Sequence, residues 1–167
     1  MMVEAVILDL KILYDQKTDC LVEECLPLLE RLRGLGIKLC LVTKENKEGE
    51  TRTSQISRLG ISRYFDFILI VYEEKKEEDF QRCLAELLLR PHQAVIVGDS
   101  IEKEIYPGNK TGMITVWYAV GQFASAHPET GYQKPDIIIT KLEDLIGCLM
   151  ENYPEKGGDH DGSQPAN

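Results

Sequence analysis

Apolar positions along the chain fall into two alternating patterns. A continuous apolar run occurs at Ala5–Leu8, ending at Asp9, and mainly apolar stretches stand at 37–42, ending at Thr43, and at 65–71. Further runs stand at 94–97, leading into Gly98-Asp99-Ser100, at Ile114–Tyr118 and, shortest, at 136–140. Runs of this kind suit strands buried on both faces of a parallel sheet. Between them the spacing turns helical. Residues 21–35 set Leu21, Cys25, Leu28, Leu29 and Leu32 on one face until Gly34 and Gly36 stop the helix. A second helix ends at 55–59 and is closed by Gly60. A third, over 77–89, aligns Phe80, Leu84, Leu87 and Leu88; a short one ends near Gly112, and a last spans 142–150.

Strands alternating with helices imply right-handed crossovers and a parallel sheet. The expected fold is α/β: a doubly wound, mainly parallel sheet of about five to six strands. It occupies residues 1–153. Residues 154–167 carry almost no apolar side chains and are expected to be a disordered tail. In such sheets ligands bind at the carboxyl ends of the strands, which here are marked by Asp9, Thr43 and Asp99.

Composition narrows the function. The formal net charge is −9, from 28 acidic and 19 basic residues, which speaks against a nucleic-acid surface. No apolar run approaches the ~20 residues that span a bilayer, and no signal-peptide pattern opens the chain. The five cysteines form no CxxC pair and read as small buried hydrophobes in a reducing cytoplasm. His92 and His127 sit beside prolines with no spacing that links them as metal ligands.

Four segments together resemble the haloacid-dehalogenase (HAD) superfamily. They are Val6-Ile7-Leu8-Asp9-Leu10-Lys11, Leu39-Cys40-Leu41-Val42-Thr43, Lys75-Lys76-Glu77-Glu78-Asp79-Phe80, and Val95-Ile96-Val97-Gly98-Asp99 continuing to Glu104. The resemblance covers residues 3 to 150 and implies a Mg²⁺-dependent phosphatase with a Rossmann-like HAD core. Asp9 would be the nucleophile, forming an aspartyl-phosphate. Thr43, Lys44 and Lys75 would bind phosphate, with Lys75 neutralising nucleophile and phosphate together. Metal would be held by Asp9, the backbone carbonyl of Lys11, Asp99 and Glu104. Lys75 is preferred over Lys76 because it stands five residues before Phe80.

One position departs from the family pattern. The second Asp of the first motif, which protonates the leaving oxygen and then activates water, is replaced by Lys11. The resemblance therefore implies turnover that is weakened or lost. The alternative is a non-catalytic HAD-fold protein binding phosphate, metal or a protein partner. A response-regulator receiver domain ranks lower, because the third strand ends Val71-Tyr72-Glu73 without the required Asp.

The intervals from Asp9 to Thr43 (43 − 9 = 34 positions) and from Thr43 to Lys75 (75 − 43 = 32) leave no room for a cap domain. An open site suits a phosphorylated small molecule or a phosphoprotein, or closure by a second copy in a homo-oligomer. Residues 44–53 are expected to form a loop and helix start that could act as a small flap. The 121–131 loop after the fifth strand lies near the site by topology.

Overall fold

A computed structural model describes residues 3–129 and 131–151 of the chain. The segment 154–167, expected to be disordered, lies outside the described residues.

Six strands form one parallel sheet: β1 (Ala5–Leu8), β4 (Lys38–Lys44), β5 (Phe67–Val71), β6 (Ala94–Gly98), β7 (Ile114–Tyr118) and β8 (Ile137–Ile139), in the order β5-β4-β1-β6-β7-β8. The first strand is central, and the order reverses beside it, which makes the sheet doubly wound. In register, Leu8 lies between Leu41 of β4 and Val97 of β6. Asp9, Thr43 and Asp99 thus leave the carboxyl ends of three adjacent strands.

Alternation along each strand feeds two cores. Val6, Leu8, Leu39, Leu41, Val95 and Val97 face one side with α1 (Cys25–Gly34) and α5 (Asp144–Met150). Ala5, Ile7, Cys40, Val42 and Ile96 face the other with Phe80, Cys83, Leu84 and Leu87 of α3 (Glu77–Leu87). The remaining helices are α2 (Arg52–Arg58) and α4 (Tyr106–Thr111).

Both edge strands are introduced by the same device. The Asp66 carboxylate, just before β5, accepts the Leu39 N–H of β4 at 2.8 Å, and the Asp136 carboxylate, just before β8, accepts the Thr115 N–H of β7 at 2.8 Å. Burial works against the Asp66 charge, but Leu39 N–H and Arg33 outweigh it and hold the carboxyl below its usual range. A lowered carboxyl contributes stability above its unfolded value and loses it as pH falls through its folded value. Asp66→Ala should therefore cost ~1 kcal/mol at neutral pH, discounted for partial exposure. In urea titrations across pH, the difference should close below pH ~4.

The structure corrects several sequence boundaries. The helix expected from residue 21 starts at Cys25, because Leu21 belongs to a hairpin of β2 (Tyr14–Asp15) and β3 (Cys20–Leu21). Val22 N–H donates to Leu13 O, and Asp19 turns the chain with φ 53°. The third helix ends at Leu87, since Leu88 adopts φ 57° and leaves its side chain 89% exposed. The fifth expected strand is preceded by a π-helical turn, Ile101–Ile105, that runs into α4.

Among the described residues, only the Leu10–Ile12 3₁₀ turn, the hairpin and α1 separate β1 from β4, and only α2 with a 3₁₀ turn separates β4 from β5. Neither interval holds a second domain. No helix among the described residues is long and apolar enough to cross a membrane.

Candidate active site

Asp9 ends β1 and is 5% exposed. Its Oδ1 accepts the Lys11 N–H at 3.4 Å and its Oδ2 lies 3.0 Å from Lys75 Nζ. Lys75 comes from the segment before α3 and is buried to 4% of its side chain. The same ammonium donates to Glu104 Oε1 at 2.7 Å. Lys76 is exposed and caps α3, where its backbone N–H donates to Asp79 Oδ2 at 2.9 Å. Of the two candidate lysines, Lys75 is the one joined to Asp9.

Glu104 is 2% exposed, and its second oxygen accepts the Ser100 N–H at 3.1 Å. The π-helical turn makes this reach: Ile105 N–H bonds back five residues to Ser100 O at 3.4 Å. A turn of that width carries an extra residue and brings position 104 back over the end of β6. Gly98 is required there, since a Cβ on it would fall 2.3 Å from Glu104 Cγ. Gly98→Ala should cost ~1–3 kcal/mol by overpacking in thermal or urea unfolding. The glutamate expected to serve metal thus has both oxygens engaged, by Lys75 and by backbone.

Asp99 is half-buried beyond β6, and its carbonyl accepts Trp117 Nε1–H at 3.0 Å. Burial and then the Asp9 charge push its carboxyl above the usual range, against the pull of Lys11 and Lys75. Burial also pushes Glu104 up against the pull of Lys75. Burial opposes the Lys75 charge, but Asp9 and Glu104 outweigh it and hold the ammonium above its ordinary value. Burial is the first cause for both acids and the neighbouring carboxylates add to it, while those same carboxylates are what raise the Lys75 ammonium. Three carboxylates (Asp9, Asp99, Glu104) meet one buried ammonium, leaving two uncompensated negative charges.

That excess fits a divalent cation. Among the described residues, no three carboxylate, imidazole or thiol groups cluster tightly enough to enclose a metal alone. Mg²⁺ does not require this: it keeps several waters and takes one or two carboxylates with substrate phosphate. Asp9, Asp99 and the Lys11 carbonyl are the groups suited to that role.

Thr43 lies within β4 and is 1% exposed. Its Oγ1 is the one buried side-chain polar atom without a hydrogen-bond partner among the described residues. A buried hydroxyl left unmatched is costly, and such a group in a native fold commonly awaits a ligand. Lys44 departs from the group: its ammonium pairs with Glu74, which Lys103 also approaches at 3.7 Å. The Lys11 side chain is exposed and lines a polar cleft with residues of the hairpin and α2. Its charge nonetheless reaches Asp99.

The family model for haloacid dehalogenase-like hydrolases matches residues 5–118. The chain belongs to that family. A glyceraldehyde 3-phosphate phosphatase of Methanopyrus kandleri is 30% identical over 132 residues, which cover 77% of this chain and 56% of that protein. An N-acylneuraminate-9-phosphatase of Rattus norvegicus is 32% identical over 133 residues, covering 77% of this chain and 51% of the relative. The chain thus spans about half the length of the curated phosphatases it matches. Among solved structures, a HAD phosphatase from Thermococcus onnurineus aligns with a TM-score of 0.61 at 25% identity, over 78% of this chain and 58% of that one. An uncharacterized protein from Listeria monocytogenes serotype 4b aligns with a TM-score of 0.71 at 23% identity, over 88% of this chain and 97% of that one, a likeness of fold alone.

Sequence reading missed the polar cleft that Lys11 shares with side chains of the hairpin and α2. Tyr14 and Asp19 come from the hairpin, while Arg52, Gln55 and Arg58 come from α2. The polar run Asp15-Gln16-Lys17-Thr18-Asp19 between two apolar stretches was the available turn signal.

Proposed function

We propose that this chain is a Mg²⁺-dependent phosphatase of HAD type whose turnover is slowed by Lys11. The observation that carries the reading is the buried, unpartnered hydroxyl of Thr43, on the strand next to the Asp9–Lys75 pair. It supports a bound oxyanion: Thr43 and Lys75 would donate to phosphate oxygens, while Asp9 faces the phosphorus. Lys75 would spread its charge over nucleophile and phosphate as the oxygen–phosphorus bond forms at Asp9. Glu104 fixes that ammonium through its own bond and its hold on Ser100 N–H. Asp9, Asp99 and the Lys11 carbonyl would hold Mg²⁺, which when bound lowers the charge barrier between the two anions.

Two proton transfers remain to be supplied. The leaving oxygen must gain a proton, and water must lose one to attack the aspartyl-phosphate. The Lys11 ammonium carries no basic lone pair, so the second step lacks its usual base. The same substitution supports a second reading, a HAD-fold module that binds phosphate or metal without turning over.

Hydrolysis of p-nitrophenyl phosphate with Mg²⁺ separates the two. Slow wild-type hydrolysis that disappears in Asp9→Asn supports the phosphatase. Phosphate binding without any wild-type hydrolysis favours the binding module.

A further inference from the structure

Between α1 and α5, on the face of the sheet that both helices cover, lies a groove of about 760 Å³. None of Asp9, Thr43, Lys75, Asp99 and Glu104 lines it. Its apolar part is Pro27 and Leu28 of α1 with Ile146 and Met150 of α5, and Met150 is 67% exposed. Each helix contributes these side chains from one stripe at helical spacing. Gly147 stands between Ile146 and Met150, inside a helix where glycine is disfavoured. A Cβ there would meet no heavy atom within 4 Å, so nothing within the described fold requires the glycine. Its missing side chain deepens the groove.

From the charge around this groove we infer an interaction surface for another protein: it takes a cationic amphipathic helix, apolar along one stripe with Lys or Arg beside it. Shape is the first argument. The volume matches about one to two turns of an α-helix, and a helix laid between two others is a recurrent mode of recognition. Charge identifies the occupant. Glu23, Glu24 and Glu143 stand against Arg31 alone, which leaves the rim with two net negative charges. Among the described residues none of these four joins an ion pair, whereas Arg33 is held by Asp66 and Arg58 by Glu50. A second copy of this chain, related by a two-fold axis, would set these carboxylates against themselves. Residues 152–167 carry Glu155, Asp159 and Asp161 against Lys156, so they too are negative. A fatty acid would add one more carboxylate. A helix with Lys or Arg flanking Leu, Ile or Met meets the apolar floor and the unpaired rim together.

The test is fluorescence anisotropy of labelled peptides of about 15 residues with the full chain in ~0.1 M salt. One peptide has Leu at helical spacing and Lys elsewhere, a second has Glu in place of Lys, and a third has Ser in place of Leu. The Lys–Leu peptide should bind at least about tenfold more tightly than either control. Gly147→Gln fills the groove without adding charge, and Met150→Gln removes an exposed apolar wall. Each should weaken the Lys–Leu peptide at least about fivefold. Glu77→Gln with Glu78→Gln, on α3, should leave it within about twofold, as should Tyr153→Ser. Equal binding of the Lys–Ser peptide overturns the inference, because charge alone would then explain it. So does a preference for the Glu–Leu peptide, or binding untouched by both groove variants. Self-association in sedimentation equilibrium that Gly147→Gln abolishes assigns the groove to a second copy and overturns it as well. A gain of about tenfold in Tyr153→Ser assigns the groove to residues 152–167, with the same consequence.

Discussion

Lys11→Asp should raise p-nitrophenyl phosphate hydrolysis in Mg²⁺ by about 10²-fold or more, the usual contribution of a general acid–base group. The position is prepared for it. Residue 11 follows Asp9 on the Leu10–Ile12 turn, its backbone N–H points at Asp9 Oδ1, and its side chain is exposed and lines a polar cleft. Nothing packs over it that a shorter side chain would leave void, so the change should cost little stability. An Asp there can give a proton to the leaving oxygen and take one from water; the ammonium cannot do the second. Steady-state rates with and without Asp9→Asn in the same background make the measurement. A gain that persists in Asp9→Asn would show that hydrolysis bypasses the proposed nucleophile.

Lys75→Met should destabilise the fold by about 3–5 kcal/mol at neutral pH, the cost of leaving buried charge uncompensated. The ammonium is buried and bonded to Asp9 and Glu104 together, so its loss strands two carboxylates. Adding Glu104→Leu should recover at least about half of the loss, because it removes one stranded charge and fills its space. The pH dependence has a definite sign. Burial pushes Glu104 up, so its penalty is absent below the unfolded value of ~4.3 and grows as pH rises through the folded value. The deficit of Lys75→Met should therefore shrink on acidification. In the wild type, the raised Lys75 contributes fully below ~10.4 and loses its contribution only as pH climbs through the higher folded value. Urea unfolding across pH reads both effects. A deficit under ~1 kcal/mol at neutral pH would mean that water reaches the pair and screens it.

Reading the chain located the strands well because short, mainly apolar stretches between helical patterns have few other uses. Ala5–Leu8, Phe67–Val71 and Ala94–Gly98 emerge within two residues of expectation. Boundaries failed where a side chain overrode the local pattern. Phe65 extends the apolar stretch on paper, but Asp66 interrupts it, turns its carboxylate to Leu39 N–H and delays the strand. Leu21 has helical spacing to Cys25, yet it pairs with Tyr14, because the polar turn at 15–19 brings the chain back on itself. Lys44 stood beside Thr43 in sequence, but Glu74 lies on its side of the sheet and takes the ammonium.

By itself the sequence determined the α/β class, the parallel sheet and the identity of the groups at the strand ends, since those follow from periodicity and residue type alone. It also determined the departure from the family pattern at position 11, where Lys stands, which is a matter of residue type rather than placement. Only the tertiary structure decided that Lys75 serves Glu104 as well as Asp9, that Thr43 keeps an unmatched hydroxyl, and that the hairpin and α2 enclose a neutral polar cleft. Those facts join residues tens of positions apart. The π-helical turn and the hairpin are closed by local bonds, but what they meet is distant: Glu104 meets Lys75 and Asp19 meets Arg58, and no local pattern encodes those partners.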